Sequence, residues 1–211
     1  MRKSASVAGE SKEKVLRTAK LLSQLGINPL TQGDVSICEP STGYIVITPH
    51  DLSYDKMSIR DLVVIDEYGK VVSGRHSPSN ESPVHCVVYR ERKEVNGIVH
   101  LEPVFANAFG IVLREIPPVY VNMAVDVGGG VPVMTFADSG TESFGYTMLS
   151  VMGRRNAIVW ANHGLLTVGK TLDAAFHCTL TVELGAKMYH IALCHGDARI
   201  IPQDKIDLLV G

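Results

Sequence analysis

The chain has 211 residues, 45% hydrophobic and 20% charged, with a formal net charge of -2, so it carries apolar material for one sizeable domain and no cationic excess to bind a nucleic-acid backbone or an anionic membrane. Cys38, Cys86, Cys178 and Cys194 form no C-x-x-C pair, and the opening MRKSASVAGESKEK lacks the apolar core of a signal peptide; reduced thiols in a cytoplasmic protein are expected. The apolar stretch 116–134 is interrupted by prolines, Asp126 and a glycine run, which excludes a membrane helix there.

In chain order, residues 1–10 read as a loose polar tail. Val15, Ala19, Leu21, Leu22 and Leu25 then recur at helical spacing, closed by Gly26 as a C-cap. Val35-Ser36-Ile37-Cys38 and Tyr44-Ile45-Val46-Ile47 flank a Pro-Ser-Thr-Gly turn, and Leu62–Ile65 and Lys70–Val72 flank Asp66-Glu67-Tyr68-Gly69; both read as hairpins. A helix is predicted from Ser82, with Pro83 tolerated in its first turn and Val84, Val87 and Val88 as its apolar stripe. His85, on or beside that stripe, reads as a packing histidine and is given no chemistry.

Gly97-Ile98-Val99-His100 is an apolar strand whose exit carries two potential metal ligands, His100 and Glu102. At i and i+2 they share a face, which suits a metal site, although a His-Glu hydrogen bond at a strand end is the plainer reading of the pair alone. A helix over 104–112 follows, then an extended Pro117–Met123, and Gly128-Gly129-Gly130 before a strand Val131–Met134. No G-x-G-x-x-G opens a helix there, so a nicotinamide cofactor is not expected. Ser139-Gly140-Thr141-Glu142 opens a helix to about Met152. Ala157–Trp160 and Leu165–Val168 read as strands joined by Ala161-Asn162-His163-Gly164, and Leu172 to about His195 is a long helix. The Asn-His-Gly turn is a second candidate ligand position, although such residues also serve plain turn chemistry. Hairpins mixed with helices, without repeat or linker, predict a single α/β domain over 1–211 with much of its sheet antiparallel.

Several of these motifs occur together in one order: Thr31-Gln32-Gly33-Asp34-Val35-Ser36, Ile47-Thr48-Pro49, Ser77-Pro78-Ser79-Asn80-Glu81 with His85 four residues on, Val99-His100 and Asn162-His163-Gly164-Leu165. In this the chain resembles the class II aldolase/adducin family from about Val15 to about Cys194. The resemblance implies a three-layer α/β/α domain with a central, largely antiparallel sheet. It also implies a small-molecule substrate and a homotetramer with active sites at subunit interfaces around a zinc-like divalent metal.

Carried over by position, the family's first metal histidine lands on His100 and that of its Asn-His-Gly turn on His163. Its second paired histidine is Glu102 here. Two histidines and one carboxylate are a competent open set for zinc, and the added oxygen also admits manganese, iron or cobalt. The family's acid/base glutamate lands on Glu81. Its small-polar substrate pocket lands on Thr31, Gly33, Asp34, His50, Ser79 and Asn80. Asp34 and Asp51 stand at positions that are neutral in the family, and two carboxylates facing a phosphate dianion would repel it with no motif arginine to offset them; recognition of a terminal phosphate in the family's manner is therefore not expected. The family's tyrosine of the extended segment falls near Asn122, with Tyr120 two positions away, and leaves the leaving-group acid unassigned.

The activity implied is metal-dependent carbon-carbon cleavage of a small hydroxy-carbonyl or sugar-phosphate-like compound through an enediolate. A decarboxylase or epimerase on the same scaffold, and a non-catalytic adducin-like interaction module, are the alternatives. The ligand set weighs against the module, which has no use for it.

Overall fold

The computed structural model describes residues 2–27 and 32–210. Eight strands form one sheet: β1 (Asp34–Cys38), β2 (Ile45–Ile47), β3 (Val63–Ile65), β4 (Val71–Ser73), β5 (Gly97–Leu101), β6 (Val133–Met134), β7 (Ala157–Trp160) and β8 (Gly164–Gly169). Their order is β4-β3-β2-β1-β5-β8-β7-β6. Neighbours are antiparallel except β6 with β7, which run parallel. Helices α1 (Arg2–Gln24), α2 (Ser82–Glu91), α3 (Val104–Ile111), α4 (Glu142–Met152), α5 (Leu172–His195) and α6 (Gln203–Val210) complete the chain.

Period-two alternation sorts the side chains onto two faces. Ile45, Ile47, Ile98, Ile158, Trp160 and Leu166 face α2 and α4, where Val84, Val88, Phe144 and Met148 close the core. Val35, Val46, Val99 and Leu101 face the opposite way, against Val15, Ala19 and Leu22 of α1 and Leu172 of α5. On that same side Val159 and Leu165 pack with Phe109 of α3 and Val182 and Ala186 of α5. The result is the expected three-layer α/β/α arrangement. His100 is one residue pair on from Ile98, so it lies on the α2/α4 face.

Several segments differ from the sequence reading; the strand expected over Val131–Met134, for instance, is confined to Val133–Met134. The first helix begins at Arg2 and runs through the segment expected as a loose tail; that segment is polar but rich in helix-tolerant Ser, Ala, Glu and Lys, and a Glu10–Lys14 pair at 2.8 Å spans one turn. The extended stretch stops short of Met123, because after the Ile116–Val131 bridge the chain coils into a π-helix over Met123–Val127. Met123 and Val127 are thereby buried against α5. The final helix α6 was not anticipated; Ile206 alone among its described side chains is buried, so its apolar periodicity is faint.

Candidate active site

The sheet gathers the expected residues at one end. Gly33, Asp34, His50, Ser79, Asn80 and Glu81 line a pocket of about 230 Å³, together with His100, Glu102 and His163. Thr31 lies outside the described residues.

Close backbone approach makes this end possible. A Cβ on Gly33, whose φ is +84°, would fall 2.3 Å from the His100 carbonyl oxygen, and one on Gly164 would fall 2.5 Å from that of Leu101. Only glycine permits either contact. Asn162 turns the chain in the left-handed region at φ 57°, and Asn107 Nδ2 donates to the His163 carbonyl at 3.1 Å. The His163 ring then meets His100 edge-on, centroids 5.1 Å apart, while His100 stacks on Trp160 at 4.4 Å.

His100 is 2% exposed, and its Nδ1 lies 3.1 Å from the Leu165 carbonyl. A carbonyl only accepts, so Nδ1 carries the proton and Nε2 keeps its lone pair, the arrangement a metal-ligating histidine needs. Burial pushes the His100 pKa down, against the opposing pull of Asp34, so the ring is neutral at pH 7. Glu102 stands one residue past β5, and burial raises its carboxyl above the usual range with His163 partly countering. It makes no hydrogen bond or ion pair among the described residues. Nor do any three His, Cys, Asp or Glu side chains there close around a common point. The donor chemistry nevertheless fits a divalent cation: a neutral imidazole with its tautomer fixed, a second imidazole beside it and an unengaged carboxylate lining the same pocket.

Glu81 caps the start of α2 and is 9% exposed. Ser139 Oγ donates to its Oε1 at 2.6 Å and the Gly140 amide to its Oε2 at 3.0 Å, while Oε1 lies 3.9 Å from His163 Nε2. In the sequence Ser139 and Gly140 read only as a helix opening; no local pattern links that loop to Glu81.

Asp34 and His85 depart most from expectation. Asp34 is 2% exposed and His85 fully buried, with His85 Nε2 2.7 Å from Asp34 Oδ1, a close pair that is not aligned as a linear hydrogen bond. Ser79 Oγ donates to Asp34 Oδ2 at 2.5 Å and accepts from the Glu81 amide at 3.1 Å. His85 Nδ1 lies 2.7 Å from Ser36 Oγ, itself 2.7 Å from the Tyr89 hydroxyl. Burial alone would raise the Asp34 carboxyl, but His85, His100 and Ser79 together hold it at about 2. The histidine read as a packing residue thus supports the substrate wall, and Asp34 is already partnered; the two free carboxylates expected to face a phosphate reduce to Asp51. His50 and Asp51 are exposed beside each other at the rim. Tyr120 donates to the Thr181 carbonyl at 2.9 Å and takes no part in the pocket lining.

The chain is similar to known proteins over most of its length. The chain is 26% identical over 200 residues to the 5-deoxy-D-ribulose 1-phosphate aldolase of Bacillus thuringiensis serovar kurstaki, covering 95% of this chain and 93% of that protein. It is 28% identical over 203 residues to the L-fuculose phosphate aldolase of Haemophilus influenzae, covering 96% and 93%. A solved L-fuculose 1-phosphate aldolase superposes with a TM-score of 0.90 at 27% identity, covering 95% of this chain and 94% of that one. Residues 13–190 match the Class II Aldolase and Adducin N-terminal domain, and the chain belongs to that family.

Proposed function

We propose that this protein is a metal-dependent aldolase-like lyase that breaks a carbon-carbon bond in a small hydroxy-carbonyl compound by way of an enediolate. The observation that carries this reading is the convergence of His100, Glu102, His163 and Glu81 on one pocket. His100, Glu102 and His163 would hold the divalent ion, zinc first, with manganese, iron or cobalt admitted by the carboxylate. When bound, that ion supplies a Lewis acid for the negative charge that cleavage leaves on the substrate oxygen.

The chain's own groups do the remaining work. Glu81 exchanges the proton at the enediolate carbon, and the Ser139 hydroxyl and Gly140 amide fix its two oxygens so that it need not reorganise during the transfer. Ser79 fixes the Glu81 backbone from the other side. Leu165 and Trp160 orient His100. Gly33, Ser79, Asn80 and His50 form the substrate wall.

The three relatives are named for phosphorylated ketoses. With Asp34 paired to His85, the objection to a phosphate rests on Asp51 alone, and a small ketose phosphate is the substrate class this reading favours. The exposed apolar residues Leu184, Met188 and Ile191 on one face of α5 support a homotetramer with sites at subunit boundaries. The free state of Cys38, Cys86, Cys178 and Cys194 supports a cytoplasmic protein.

Two measurements test the reading. Elemental analysis should find one divalent metal per chain and its loss in His163→Ala; unchanged metal in the variant removes His163 from the set. Ketose 1-phosphates and the corresponding free sugars, assayed for retro-aldol products with several metals, should give cleavage of at least one phosphate. Decarboxylation or epimerisation without cleavage would move the activity to the alternative on the same scaffold.

A further inference from the structure

A second cavity lies elsewhere. It measures about 730 Å³ and sits beside the far end of β8, at Gly169, whereas His163 precedes the strand's start at Gly164. Five strand steps separate the ends of β8, about 16 Å. Its charged lining is Arg154, Arg155, Lys170, Asp126 and Asp207, with His177.

Among the described residues, the acids in this cavity already accept hydrogen bonds and the bases form no ion pair. Asp126 Oδ2 accepts from Thr181 Oγ at 2.6 Å and Asp207 Oδ1 from Gln203 Nε2 at 2.8 Å. Among the described residues no carboxylate stands within ion-pair distance of Arg154, Arg155 or Lys170. Arg155 Nε is buried with no acceptor among the described residues, an N–H whose desolvation none of them offsets. One wall is the π-helix Met123–Val127, a backbone form that recurs at functional sites. The first turns of α5, through Ala174 and His177, form another wall.

We propose that this cavity binds a small-molecule anion bearing a phosphoryl or carboxylate group, at a site separate from the Glu81 pocket. Its volume suits a metabolite rather than a simple ion. Half-buried Arg155 provides guanidinium N–H groups on the wall, and exposed Arg154 and Lys170 the neutralising charge at the mouth. The site stands independently of the aldolase reading.

The test is calorimetric titration of the purified protein with inorganic phosphate and, separately, with citrate, at ionic strength held constant with sodium chloride. Binding of either anion is expected; phosphate alone would mark a phosphoryl ligand and citrate alone a carboxylate. Arg155→Gln should weaken it by about tenfold or more, the loss of a charge-assisted bond. Lys170→Gln, at an exposed position, should weaken it by a smaller factor, and Glu81→Gln should leave it unchanged. No binding of either anion overturns the proposal. So does binding that survives both cavity variants, or binding that changes with Glu81→Gln, because the anion would then sit in the active-site pocket.

Discussion

Replacing Asp34 by asparagine removes the charge from a buried pair whose other member, His85, has no water to turn to. Truncating one side of such a pair costs about 3 kcal/mol. The lowering of the Asp34 carboxyl from 3.8 to about 2 corresponds independently to about 2 kcal/mol of stability at neutral pH. The carboxyl is depressed in the folded state, so its contribution is present above 3.8 and is lost as pH falls through about 2. Roughly half should remain at pH 3. Urea unfolding of the native protein and Asp34→Asn should therefore show a gap of about 2–3 kcal/mol at pH 7 that narrows to about half at pH 3. A gap below about 0.5 kcal/mol at pH 7 would refute the pairing. One that fails to narrow would show that Asp34 acts through shape rather than charge.

Other consequences follow from neighbouring contacts. Glu81→Gln should keep its metal while turnover falls about 10²- to 10⁴-fold; loss of metal, read by elemental analysis, would make Glu81 chiefly a ligand. In Glu183→Ala, α3 loses the carboxylate that accepts from the Phe105 and Ala106 amides at 3.0 and 2.9 Å. Stability should fall by about 1 kcal/mol, and because Glu102 sits just before that helix, metal affinity should fall with it although no ligand is touched; unchanged metal affinity would separate the cap from the site. Gly164→Ala brings a Cβ to 2.5 Å from the Leu101 carbonyl oxygen and 2.7 Å from His100 Cε1. Destabilisation of about 2 kcal/mol or more is expected, and thermal unfolding at or above the native midpoint would contradict that packing.

The primary sequence by itself determined most of the elements and the two hairpins, but not the order of the strands in the sheet. Strand alternation such as Ile45-Val46-Ile47, the hairpin turns and the capped helices are local patterns, legible because side-chain period and turn chemistry are properties of short segments. His100, His163 and Glu81 were identifiable for a different reason: their motifs occur in the family's order. What lay out of reach were relations between distant segments. Ser139 and Gly140 holding Glu81, Trp160 stacking on His100 and Glu183 capping α3 each join residues more than 55 positions apart, and no local pattern encodes them. His85 shows the difference most plainly. On the helix it is a histidine beside an apolar stripe, and only the pairing of β1 with β5 and the docking of α2 bring Asp34 against it. The same burial that hides both groups from water makes their contact strong, so the charge expected to repel a substrate was instead spent inside the fold.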